Sequence, residues 1–170
     1  MRNLLSALAA VGMAAAPAAA AELRVSIELP QLSGAEYHRP YLAVWIENAR
    51  QEPVTTLSVW YDTRLRNEHG QRWLKDLRQW WRRSGREMTF PADGISGATR
   101  APGRHQLVID AANPRLAGLP AGEYSVVVEV AREAGGREMV RVPLQWPPAE
   151  HAASASGSTE IGTVAVSARR

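Results

Sequence analysis

The chain contains no cysteine in its 170 residues. That excludes a disulfide framework, a thiol redox centre and covalent attachment of a c-type haem. Any electron chemistry must then come from a flavin, from a metal held by other ligands, or from a non-covalent cofactor. Phenylalanine is scarce too, one residue against six tryptophans, so the large aromatic surface is mostly indole. Charge of one sign is also lacking: the net charge is +3, with arginine dominating the bases, and this balance gives no case for nucleic acid as a partner. No apolar run approaches the roughly 20 residues of a membrane helix, so stable membrane insertion is not expected. His38, His69, His105 and His151 are scattered, without the paired spacing of metal ligands, and no metal site is assigned. A Ser-His-Asp order, a paired-carboxylate arrangement, a P-loop and a G-x-G-x-x-G run are all missing. A free-standing enzyme is therefore not expected.

What is present begins with Arg2, an apolar stretch from Leu4 to Ala16, and Pro17-Ala18-Ala19-Ala20-Ala21. A positive start, a short apolar core and small residues before the cut describe a secretory signal peptide over residues 1–21. Cleavage is expected after Ala20 or Ala21, and no following Cys offers a lipid anchor. Residues 22–170 then form a single domain, expected to be soluble and periplasmic.

Strand signals dominate that domain. Leu23 to Leu29 alternates apolar and polar residues and stops at Pro30. Tyr41 to Glu47 is a denser apolar run, the pattern of a central strand covered on both faces. Thr56–Tyr61, Arg104–Asp110, Glu123–Ala131, Arg137–Gln145 and Ile161–Ser167 complete a set of about seven, with Gly135-Gly136 as a hairpin turn. The set predicts an all-β fold, an immunoglobulin-like antiparallel β-sandwich. Leu119-Pro120-Ala121-Gly122 ahead of Tyr124 resembles the P-x-G-x-Y turn of bacterial immunoglobulin-like modules. One segment departs from the pattern. Arg72 to Arg83 spaces Trp73, Leu74, Leu77, Trp80 and Trp81 as one amphipathic helix, ending by residue 84 and packing on the edge or end of the sandwich. Residues 147–159, rich in Ala, Ser and Pro, read as a flexible segment before the last strand.

The stretch Asp93-Gly94-Ile95-Ser96-Gly97-Ala98-Thr99 carries the sharpest chemical signal. Gly94, Gly97 and Ala98 remove bulk around the Thr99 hydroxyl, and the prolines at 91 and 102 are expected to keep the segment out of regular structure. Small residues with Asp, Ser and Thr also make ordinary turns, so a purely structural role for Asp93 remains the alternative. Arg78, Arg82, Arg83 and Arg86 crowd the helix end, either as a solvated face or as partners for an anion.

The stretch resembles D-x-x-[S/T]-G-A-[T/S], the acceptor motif that bacterial flavin transferases read on exported electron carriers. The resemblance implies covalent FMN on Thr99, with Asp93, Ser96, Gly97, Ala98 and Arg100 around it and Trp80, Trp81, Arg78 and Arg82 as possible flavin or partner contacts. More broadly, the chain resembles a domain-of-unknown-function family of predicted periplasmic proteins encoded near flavin transferases and PepSY-type membrane reductases. That resemblance rests on Pro40 to Glu47, the Trp73 to Arg83 segment, Ser96 to Arg100 with Pro102-Gly103, and Glu129 to Glu133. It implies an exported accessory protein of an extracytosolic redox system. Its partners would be a flavin transferase and a PepSY-type reductase or another periplasmic redox protein. The alternative is a non-catalytic binding module without cofactor. Ala134 departs from the histidine expected there in relatives.

Overall fold

A computed structural model describes residues 21–33, 36–147 and 150–169; the expected signal peptide, Ala21 apart, lies outside the described residues. Nine strands form among them: β1 (Glu22–Leu29), β2 (Tyr41–Asn48), β3 (Pro53–Tyr61), β4 (Ser96–Ala98), β5 (Gly103–Asp110), β6 (Gly122–Ala131), β7 (Arg137–Trp146), β8 (Glu150–Ser156) and β9 (Thr163–Arg169). They build two sheets, ordered β5-β1-β9-β8 and β4-β3-β2-β6-β7. Every pairing is antiparallel except β3 with β4. The architecture is the two-sheet sandwich expected from the sequence.

The alternation of β1 becomes geometry directly. Leu23, Val25 and Ile27 are fully buried and Leu29 nearly so, because successive side chains of a strand point to opposite faces and one face meets the other sheet. β2 is buried along Leu42 to Glu47 for a different reason. Its Leu42, Val44 and Ile46 enter the core between the sheets, while Ala43 and Trp45 enter a second core on the sheet's outer face. The turn before β6 also forms as its residues suggest, with the Tyr124 hydroxyl donating to the Pro120 carbonyl at 2.9 Å.

Two strands escape composition-based reading. β8 replaces the flexible segment expected over 147–159. Its run Glu-His-Ala-Ala-Ser-Ala-Ser alternates exposed and half-buried positions, registers against β9, and packs Ala153 and Ala155 onto the inter-sheet core. Methyl-sized side chains hide a period of two that backbone pairing then realises. β4, the other, contains part of the Asp93 to Thr99 segment.

The predicted single helix over Arg72–Arg83 is instead two pieces, and it lies flat on the outer face of the five-stranded sheet rather than at the sandwich edge. A 3₁₀ segment runs Arg66–Asp76, with Asn67 and Glu68 at positive φ, and a short helix α1 covers Arg78–Arg83. Leu77, with ψ 70°, separates them. Leu74, Leu77 and Trp80 are buried three residues apart, the spacing at which a 3₁₀ turn repeats. The break has a partner from far along the chain. The Glu129 carboxylate of β6 accepts the N–H groups of Gln79 (3.1 Å) and Trp80 (2.8 Å), which a new helix start leaves without internal acceptors. Burial raises the Glu129 pKa against the opposing pull of those donors and of Arg137 and Arg82.

Candidate functional site

The Asp93 to Thr99 segment is assembled around Trp60 of β3. Trp60 is 1% exposed and donates its indole N–H to Ser58 Oγ at 3.0 Å. β4 lies parallel to β3 with Gly97 opposite Trp60, and a Cβ at Gly97 would come within 3.3 Å of the indole. A side chain there would press β4 away from the sheet. Ser96 closes the preceding turn, its Oγ accepting from the Ala92 N–H at 2.9 Å. Gly94 has φ +65°, a conformation that favours glycine, and Arg115 donates to the Asp93 carbonyl at 2.9 Å. The expectation that the whole segment stays out of regular structure is corrected here: Ser96–Ala98 is an edge strand, because small side chains allow it to sit close beside Trp60.

Thr99 follows that strand, half-buried, with its N–H donating to the Tyr61 carbonyl at 3.1 Å. Its position lines a cleft of about 870 Å³ at the end of the five-stranded sheet. Four stretches converge on it: Tyr37 to Arg39 with Tyr41 at the start of β2, Asp62 to Leu65 after β3, Trp73 to Arg78 from the helical layer, and Ala131 to Arg137 at the β6–β7 turn. Gly70 lets the layer close down on the sheet; a Cβ there would overlap the Asp62 carbonyl, and the Gly70 carbonyl accepts from the Tyr41 hydroxyl at 2.8 Å. Burial raises the Tyr41 pKa above its ordinary value.

Arginine dominates the cleft's charge. Arg39, Arg64, Arg78, Arg132 and Arg137 line it together with Asp62, Asp76 and Glu133. Arg132 is committed to a bidentate pair with Glu160 at 2.8 and 3.0 Å, and its guanidinium lies 5.6 Å from the Tyr37 ring centre. Arg137 stands 4.0 Å from Glu129. Among the described residues Arg39, Arg64 and Arg78 have no ion-pair partner, whereas Asp62 accepts the Arg64 backbone N–H and Glu133 faces His38. The cleft is therefore suited to a ligand with both an aromatic body and negative charge.

The sequence-predicted site residues separate into groups. Thr99 and Arg78 line the cleft. Asp93, Ser96, Gly97 and Ala98 shape the approach to Thr99 without lining it. Arg100 sits over the Trp60 face, 4.2 Å from the ring centre, and anchors the chain just past Thr99. Trp80 is 1% exposed and donates to Thr56 Oγ1 at 3.1 Å; it belongs to the second core and offers no face to a ligand, which corrects its expected contact role. Trp81 is half-buried against that same core, and Arg82 lines a separate basic hollow with Lys75, Arg78, Gln79 and Arg137. The exposed indole is Trp73, at 52%. A continuous α-helix would turn Trp73 toward the sheet beside Leu77; in the 3₁₀ segment, which buries Gly70 and Leu74 instead, it lies on the cleft wall. Tyr37, Arg39, Arg64, Arg132 and Arg137 carried no local signal, since loops far apart in sequence bring them together.

Fold and cleft together define a β-sandwich module with a basic, aromatic-lined end cleft and a hydroxyl on its rim. The chain belongs to the family described as "Predicted periplasmic protein (DUF2271)", whose sequence profile matches residues 22–163. Neither curated proteins nor solved structures give a match. No helix among the described residues is long and apolar enough to cross a membrane.

Proposed function

We propose that this protein carries FMN covalently on Thr99 and works as an electron carrier of an extracytosolic redox system, as the substrate of a flavin transferase rather than a free-standing enzyme. The observation that carries the reading is the position of Thr99: half-buried at the rim of a basic, aromatic-lined cleft, next to a strand whose other edge is unpaired. In the transfer, Thr99 Oγ bonds to the FMN phosphorus of flavin adenine dinucleotide. The phosphoanhydride bond breaks, AMP leaves, and the hydroxyl proton passes to a base of the transferase, whose metal ion supplies the electrostatic catalysis. Bound FMN supplies reversible electron storage, which a chain without cysteine does not have among its own side chains.

The residues of this chain have narrower tasks. Gly97 and Trp60 keep β4 thin and close to β3, Arg115 holds the turn at Asp93, and the Tyr61 carbonyl fixes the backbone of Thr99. A PepSY-type membrane reductase or another periplasmic redox protein would be the exchange partner. The test is flavin fluorescence that stays with the protein through denaturing gel filtration after co-production with a flavin transferase. Flavin retained in the wild type and lost in Thr99→Ala is the expected result. A colourless protein would favour the cofactor-free binding module, docking through its basic helical layer.

A further inference from the structure

The cleft beside Thr99 carries exposed apolar side chains within a mainly polar lining. Four large hydrophobic side chains are left strongly exposed among the described residues, Val54, Leu65, Trp73 and Val108, and two of them, Leu65 and Trp73, line this one cleft. Tyr41 contributes a further half-buried ring, and Arg39 and Arg64, which share the cleft with Asp62, Asp76 and Glu133, make no ion pair among the described residues. At about 870 Å³ the volume lies in the range of pockets that enclose a drug-sized ligand. Thr99 lines the same space, so a group tethered to it starts at the cleft.

We infer that this cleft is the resting site of the isoalloxazine borne by Thr99, with Trp73 as its stacking wall and Arg39 and Arg64 facing its polar edge. The inference rests on the Thr99 reading above and adds to it a second, non-covalent contact between flavin and protein. Stacking on an indole face is favourable for a planar aromatic ring, and a tether makes the encounter intramolecular. Cations beside a group that gains negative charge on reduction favour its reduced form, so the arginines raise its potential. The exposed Trp73 then has a role that its neighbour Trp80, fixed in the core, does not share.

The experiment uses the full mature protein co-produced with a flavin transferase, with flavin occupancy read by intact mass and docking by flavin fluorescence. Native wild type should be strongly quenched relative to the same sample in denaturant and shielded from iodide. Trp73→Ala should keep the same flavin mass and an unchanged circular dichroism spectrum. Its docked-to-free ratio should fall roughly fivefold to tenfold, the loss expected of one aromatic stack. Native fluorescence equal to that in denaturant, or full iodide access in the wild type, overturns the docking site while leaving attachment intact. The iodide measurement needs no substitution, so a folding defect in the variant does not decide the matter. A wild-type mass without flavin overturns the Thr99 reading itself, and the docking site with it.

Discussion

The backbone N–H of Thr99 donates to the carbonyl of Tyr61 at 3.1 Å, and this bond ties Thr99 to the end of β3, the strand that carries Trp60. β4 and the Thr99 backbone are thus fixed to β3: β4 is held by pairing to β3, by the absence of a side chain at Gly97, and by Arg100 on the indole face. Thr99 follows a sheet-edge strand, and its neighbours on the cleft wall come from loops that the same sheet positions.

The two tryptophans of the helical layer should respond oppositely to truncation. Trp80 is buried in the second core with its N–H satisfied by Thr56, so Trp80→Ala should cost about 3–5 kcal/mol of stability. Trp73 is 52% exposed, and Trp73→Ala should change stability by less than about 1 kcal/mol. Urea unfolding of both variants checks this, and equal losses would contradict the broken-helix arrangement.

Glu138 should set part of the acid sensitivity. Its carboxylate accepts the backbone N–H groups of Ser158, Thr159, Glu160 and Ile161, at 2.6 to 3.1 Å, and the Ser158 hydroxyl at 2.9 Å. Burial works against ionisation, yet these donors outweigh it and hold the pKa at about 2, below the ordinary 4.5. A lowered folded value means stabilisation that is complete above pH 4.5 and disappears as pH falls toward 2. Glu138→Gln should lose about 2 kcal/mol at neutral pH, with the gap to wild type closing in acid. Parallel stability curves over that range would contradict the assignment. Glu129, with its raised value, acts in the opposite sense and is common to both proteins.

The fold is legible in the sequence where its pattern is local. β1 announced itself because Leu23, Val25, Ile27 and Leu29 alternate with polar neighbours, and β2 because both of its faces are covered. The helical layer was legible as apolar and amphipathic but not as broken, since its interrupting cap, Glu129, lies 50 residues after Gln79. Trp80 is buried in the second core and Trp73 is exposed, which sequence spacing alone does not separate. β8 was hidden because Ala and Ser dominate loops and small-residue strands alike. At the site, the motif pointed to Thr99, while the cleft walls at residues 37–41, 62–65 and 131–137 have no local pattern and exist only through the topology.

Buried charge in the outer layer gives a further test. Glu47 is fully buried, accepts from Arg83 and Arg141 at 2.8 Å each, and accepts from the Trp45 indole at 3.1 Å. Glu47→Ala leaves two guanidiniums without their carboxylate and should cost about 3 kcal/mol, at the low end for a broken buried pair because both arginines are about one-third exposed. Glu47→Gln, which keeps an acceptor, should cost less. A neutral Glu47→Ala in thermal unfolding would show that the pair contributes nothing net.

The most direct measurement is the intact mass of the mature protein after periplasmic co-production with a flavin transferase, beside Thr99→Ala and Thr99→Ser. The account predicts a gain of one FMN less water in the wild type and in Thr99→Ser, which keeps a hydroxyl, and none in Thr99→Ala. An unmodified wild type, or the same gain in Thr99→Ala, would contradict it.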